Sequence, residues 1–273
     1  MAGRRNGQGY ESVVVDINTQ RDFCDPDGVF PVANLPDLIP ALRHVVAWSK
    51  RNFVPVVSSI ESHRPGDLSD SGYPICCVDG SSGQQKVDFT MFPAYAQVEA
   101  DNTLCCPTDL FRWYQQVVFR KRRDDLLTNP KADQFLTALE ADEFVLFGVG
   151  VERSVKALAL GLLIREKQVA IVLDACGYWN KATAELAMRQ VLAKGVKCIT
   201  TDELLRRRLS RRRRYPIWRR PRFAGEAEIR RNRNGQTTDP AKSNHLPNHP
   251  PNPHFRMGAG EPNPRTSANG PQA

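Results

Sequence analysis

Residues 144–158 read FVLFGVGVERSVKAL, and this stretch decides the fold. A short apolar run is followed by a turn carrying Gly148 and Gly150, then by a helical stretch from about Val151. A strand, a glycine turn and a helix start in that order belong to an α/β sheet and commonly hold a reactive side chain at its mouth. The side chain in that position is Ser154.

The same alternation extends in both directions. Short runs rich in branched apolar residues predict strands at 12–17, 54–60, 115–119, 143–148, 168–175 and 196–200. Helical periodicity predicts helices at 35–51, 131–141, 151–166 and 180–194, and Thr201 is placed to cap a last one. Asp174, at the end of the fifth strand, is placed to cap the turn that follows it. Strands alternating with helices predict a three-layer α/β/α domain with a six-stranded, mostly parallel sheet over residues 11–209. Residues 61–110 carry Gly, Pro, Ser and Cys without periodicity and read as a long, functional loop. Ligands of such sheets bind beyond the strand C-termini, so chemistry is sought in 16–22, 61–67, 120–124, 148–154 and 174–178.

Composition divides the chain. The net charge of +8 is uneven: residues 206–233 hold thirteen arginines against two glutamates, whereas residues 1–205 carry a net −4. Tyr215, Trp218 and Phe223 sit among those arginines. Residues 234–273 contain eight prolines and a single leucine, too little apolar surface to offset chain entropy. The expectation is a flexible N-terminus over 1–10 and a disordered basic, proline-rich tail over 210–273. Arginines neutralise phosphates and aromatics stack on bases, so 206–233 is a candidate contact for nucleic acid or another polyanion. The seven cysteines are odd in number, no secretory h-region precedes them, and no apolar run is long enough for a membrane span. Free thiols in a reducing cytoplasm are the expectation.

TQRDFCDPDG (19–28) after the first strand and GVGVERSVKALALG (148–161) after the fourth, with this order of elements, resemble the isochorismatase-like cysteine hydrolases, which include nicotinamidases and related amidases. The resemblance covers about residues 11–203. It implies a catalytic set made of an aspartate after the first strand, a lysine after the third and a cysteine opening the helix after the fourth. In that chemistry the lysine and the helix N-terminus favour the thiolate, the carboxylate moves the proton, and N–H groups at the glycine turn, here Gly150 and Val151, hold the oxyanion.

Aligned without a gap on Gln20, Asp22 and Phe23, the aspartate position falls on Asn18, the lysine on Lys121 and the cysteine on Ser154. A two-residue shift would bring Asp16 to the aspartate position instead. Asn18 cannot take up a proton at neutral pH, and a serine depends on a base more than a cysteine does. The metal site that the resemblance implies for some nicotinamidases has only Glu61 and His63 here, with Asp67 as a distant third, and no cofactor is expected. The resemblance also implies a small-molecule ligand in the strand-end pocket, a homo-oligomer and a cis peptide near Gly150. Two functions follow: a hydrolase-family protein whose Asn18/Lys121/Ser154 pocket is degenerate as an amidase, or a non-catalytic binding or scaffold protein tethered by its arginine-rich tail.

Overall fold

The computed structural model describes residues 9–67, 74–101, 106–107 and 109–209. The N-terminal residues before 9 and the tail from 210 onward, including most of the basic stretch, lie outside the described residues.

Seven strands form one sheet: β1 (Tyr10–Ile17), β2 (Val56–Glu61), β3 (Tyr95–Val98), β4 (Gln116–Lys121), β5 (Ala141–Val149), β6 (Val169–Gly177) and β7 (Lys197–Ile199). Their order is β3-β4-β2-β1-β5-β6-β7, and every neighbouring pair is parallel. The expected sheet had six strands; β3 is the addition. Its four residues, YAQV, lie inside the stretch read as irregular, and they alternate between half-buried and buried. So short an edge strand leaves no periodicity to detect, and it forms because β4 offers it a partner.

The helices are α1 (Arg21–Cys24), α2 (Leu35–Arg51), α3 (Pro130–Ala138), α4 (Lys156–Ile164), α5 (Lys181–Ala193) and α6 (Thr201–Arg206). The sheet separates two cores. Val13, Val15 and Ile17 of β1 point into one, with Phe135 of α3, Leu158 of α4 and Val191 of α5. Val14 points into the other, with Leu38, Leu42 and Val45 of α2 and Leu204 of α6. This alternation along a single strand is what the pleat requires of a sheet covered on both faces.

Two cap assignments change. Thr200, not Thr201, caps α6, in a capping box with Glu203. Thr201 is the first helical residue, and its N–H donates to Asp174 Oδ1 at 2.8 Å. Asp174 thus serves a helix 27 positions away rather than its own turn. The helix expected over 151–166 is a π turn at Val151–Val155 continued by α4. No peptide bond among the described residues is cis.

Gly148 lets β5 lie tightly against β1. Its φ is +121°, and a Cβ there would come within 2.1 Å of the Ile17 carbonyl oxygen. Gly148→Ala is therefore expected to lower unfolding free energy by at least about 2 kcal/mol, read by urea denaturation. A change within experimental error would show that β1 and β5 can separate at this point.

Candidate active site

The polar residues of interest sit at strand ends on one edge of the sheet. Asn18 follows β1 directly, with a left-handed φ of +52°. Asparagine tolerates that region better than most residues with a Cβ. Its N–H donates to Ser59 O at 3.1 Å, and its side-chain Oδ1 accepts from Ser59 Oγ at 2.9 Å. The carboxamide NH2 then faces two acceptors, Glu61 Oε1 at 2.7 Å and Ser154 Oγ at 3.1 Å. The orientation of the amide is fixed by its surroundings, because an ionised carboxylate can only accept.

Lys121 ends β4, and Glu61 ends β2 directly beside it in register. Lys121 Nζ donates to Glu61 Oε1 at 3.0 Å, to the Arg123 carbonyl at 3.0 Å and to Ser154 Oγ at 3.3 Å. All three ammonium protons thus have acceptors, which suits a side chain only 1% exposed.

Ser154 lies in the π turn after Gly150, which is itself left-handed at φ +89°. The Gly150 N–H is donated to Gly177 O at 3.0 Å, so Gly150 supplies the turn and not a free oxyanion donor. Val151 opens the turn and is buried. Ser154 Oγ receives N–H groups from Asn18 and Lys121, and its own proton is left to point at Glu61 Oε1, 3.4 Å away.

The structure therefore brings Asn18, Lys121 and Ser154 together and adds Glu61 as their common acceptor. Sequence reading took Glu61 only as a metal candidate. What could have singled it out is its position: in parallel neighbours, the last residues of β2 and β4 project to the same side, and one is Glu and the other Lys.

Asp16, the alternative to Asn18, is engaged elsewhere. It lies within β1, 1% exposed, and pairs with Lys86 Nζ at 2.8 Å while accepting from the Thr19 and Ser58 hydroxyls. That buried pair ties the loop carrying Lys86 to the sheet.

Burial alone would push the Glu61 carboxyl up. The Lys121 charge, hydrogen bonds from His63 and Lys121, and the charge of Arg153 outweigh it and hold the group at about 2. The carboxylate is therefore an ion paired with an ammonium.

Glu61 Oε2 and His63 Nε2 stand 3.4 Å apart, while Asp67 is turned to the Arg64 N–H. Among the described residues no three His, Cys, Asp or Glu side chains group as a metal site. The residues present do not fit a divalent ion. Two donors are available, and one of them already neutralises Lys121. Of the described cysteines, burial pushes the Cys24 thiol up to about 12 and the Cys106 thiol up to about 11, which keeps both as thiols.

Known proteins agree with this architecture. A pyrazinamidase of Pyrococcus horikoshii, solved in complex with zinc, is 20% identical with a TM-score of 0.55, covering 70% of this chain and 99% of its own. A nicotinamidase from Bacillus subtilis is 14% identical with a TM-score of 0.56, covering 69% and 98%. An isochorismatase-like hydrolase from Alkaliphilus metalliredigens is 19% identical with a TM-score of 0.57, covering 71% and 97%. At such identities these structures share the fold and no more. No curated protein matches the chain. Among the described residues no helix is long and apolar enough to cross a membrane. The family model for the isochorismatase domain matches residues 12–203, most of the chain, and the protein belongs to the isochorismatase family.

Proposed function

We propose that this chain is an isochorismatase-family protein that does not turn over amides, and that its strand-end site is a fixed polar floor for binding. A reducing cytoplasm suits its buried thiols. The observation that carries the reading is the contact between Asn18 Nδ2 and Ser154 Oγ at 3.1 Å. A general base must accept the nucleophile's proton, and here the facing group donates one.

Glu61 does not fill the gap. A base works best when its pKa lies near the working pH, and the Lys121 ammonium holds this carboxyl at about 2. Such an ion is a strong hydrogen-bond acceptor and a poor proton acceptor. Loss of general-base help costs roughly 10²- to 10⁴-fold in rate, and a hydroxyl in place of a thiolate compounds it. The network also resists simple restoration. An aspartate at position 18 would put a second carboxylate against Glu61, at a contact now bridged by an N–H at 2.7 Å, and one of the two would have to be protonated.

The reading makes a graded expectation for nicotinamide hydrolysis. The wild type and Ser154→Cys stay at background. Asn18→Asp/Ser154→Cys gains slight turnover, and adding Glu61→Gln raises it further by removing the carboxylate pair. Wild-type turnover that Ser154→Ala abolishes would overturn the proposal.

The ion pair also sets a pH dependence. The Glu61 carboxyl lies lower in the folded chain, at about 2, than its ordinary value of 4.5. Its stabilisation is therefore fully present above 4.5 and disappears as pH falls toward 2. Glu61→Gln leaves Lys121 buried without its counter-ion, and should cost about 3 kcal/mol at pH 7. Urea denaturation at pH 3 should show a clearly smaller difference from wild type. The same difference at both pH values would mean that Glu61 is not ionised in the folded chain.

A further inference from the structure

A concavity elsewhere in the fold takes no part in the Ser154 network. It is a cleft of about 790 Å³ beside β6, walled by α2 and α5 and closed at one end by the start of α6. It exists because β7 is short. β7 pairs only with Ala170–Val172, so the outer edge of β6 from Leu173 to Gly177 has no strand beside it among the described residues. Here β6 also bulges. Pairing with β5 passes from Leu146–Ile171 to Gly148–Cys176, which turns Leu173 and Asp174 out of the sheet. Leu173 is 42% exposed and Leu192 on α5 is 48% exposed, in a wall otherwise rich in charge.

The charge is predominantly acidic. Asp37, Asp174, Glu185 and Asp202 line the cleft against Lys181 and Arg189, with His44 beside them. Asp37 and Glu185 have no ion-pair partner among the described residues, and Asp202 reaches only Arg206, at 4.0 Å. An open strand edge with an exposed Leu173, facing an exposed Leu192 on α5 and carboxylates without ion-pair partners, calls for an extended, basic, aromatic-bearing segment.

We propose that this cleft is the docking site of the chain's own residues 211–223, RRRRYPIWRRPRF. The described chain leaves the fold at the right place. Arg207 pairs with Glu143, at the N-terminal end of β5 and level with the beginning of β6. The cleft floor lies four to seven residues further along β6, or roughly 13–23 Å. About seven extended residues after Arg208 span that distance and bring Tyr215 and Trp218 to Leu173 and Leu192. The arginines on either side then meet Asp37, Glu185 and Asp202. Pro216 and Pro221 favour the extended backbone that such a groove accepts. A tether this short gives a local concentration of about a millimolar, so a contact with a Kd of about 0.1 mM would be occupied roughly ten parts in eleven.

The test uses the full chain and amide hydrogen exchange. Three proteins are compared: wild type, a tail variant with Arg211, Arg212, Arg213 and Arg214 changed to Ser together with Trp218→Ser, and a cleft variant, Asp37→Lys/Glu185→Lys. The expected result is that amides of residues 173–176 exchange roughly tenfold faster in both variants, with β1 and β5 unchanged and wild-type protection independent of protein concentration. The tail variant alters no residue of the folded domain, so it reads the contact even if the cleft variant is destabilised. Unchanged exchange in the tail variant overturns the proposal. Protection that vanishes on dilution also overturns it, since the occupant would be a second copy. So does loss of single-stranded oligonucleotide binding in the tail variant without change at β6, which would assign the segment to nucleic acid.

Discussion

Lys121 and Glu61 meet because β2 and β4 run parallel, side by side and in register, and each ends on a charged residue. Neither charge could stay so deeply buried alone. An isolated ammonium or carboxylate at such a place would give up its charge or draw in water. Together they form a pair that needs further partners for its remaining protons and lone pairs, and the rest of the site supplies them. The Arg123 carbonyl and Ser154 Oγ take the ammonium protons that Glu61 leaves, and the Asn18 carboxamide adds a donor to the carboxylate. The network is closed, and closure is the condition under which a buried ion pair is tolerable.

Seen from that pair, the residues at 18 and 154 are consistent choices. An acid at 18 would face an acid at 61. An amide at 18 presents its NH2 to both Glu61 and Ser154 while its oxygen is held by the Ser59 hydroxyl, so every polar atom of the side chain is used. A serine hydroxyl accepts two N–H groups and donates one proton, which is the valence the position demands. On the proposed reading, this mutual satisfaction comes at the expense of reactivity. On that reading the Ser154 proton meets only Glu61, a carboxylate of low basicity. Chemistry by such a site would require the network to open first.

How much of this could be read from the chain depends on the range of the interaction concerned. Strands such as SVVVDI and QVAIVLDA announce themselves, because burial on both faces makes them continuously apolar. The strand–turn–helix around Ser154 is local, and its glycines mark it. Asn18 and Lys121 were singled out through the family resemblance, and each directly follows or ends a strand. Three features escaped. β3 is four residues long and depends on β4 for its existence. Asp174 caps a helix 27 residues away, which no local pattern can reveal. Glu61 was visible as a strand-end acid, but its role follows from strand order, and a neighbourhood such as β2 lying between β1 and β4 exists only once the sheet is assembled.

Strand β6 connects the cleft with the Ser154 network. After its bulge it rejoins β5 through Gly148–Cys176 and Val149–Gly177, and the carbonyl of that same Gly177 accepts the Gly150 N–H at the start of the π turn. Val151 faces the cleft, and three residues later Ser154 faces Lys121. Asn34, just before α2, clasps this segment, donating to the Cys176 carbonyl and accepting from the Tyr178 N–H. The cleft residues of β6 and the Gly150 turn that carries Ser154 therefore share one strand end, held by Gly177 and Asn34. The bulge that opens the cleft and the turn that places Ser154 both depend on the pairing of Gly148 and Val149 with Cys176 and Gly177.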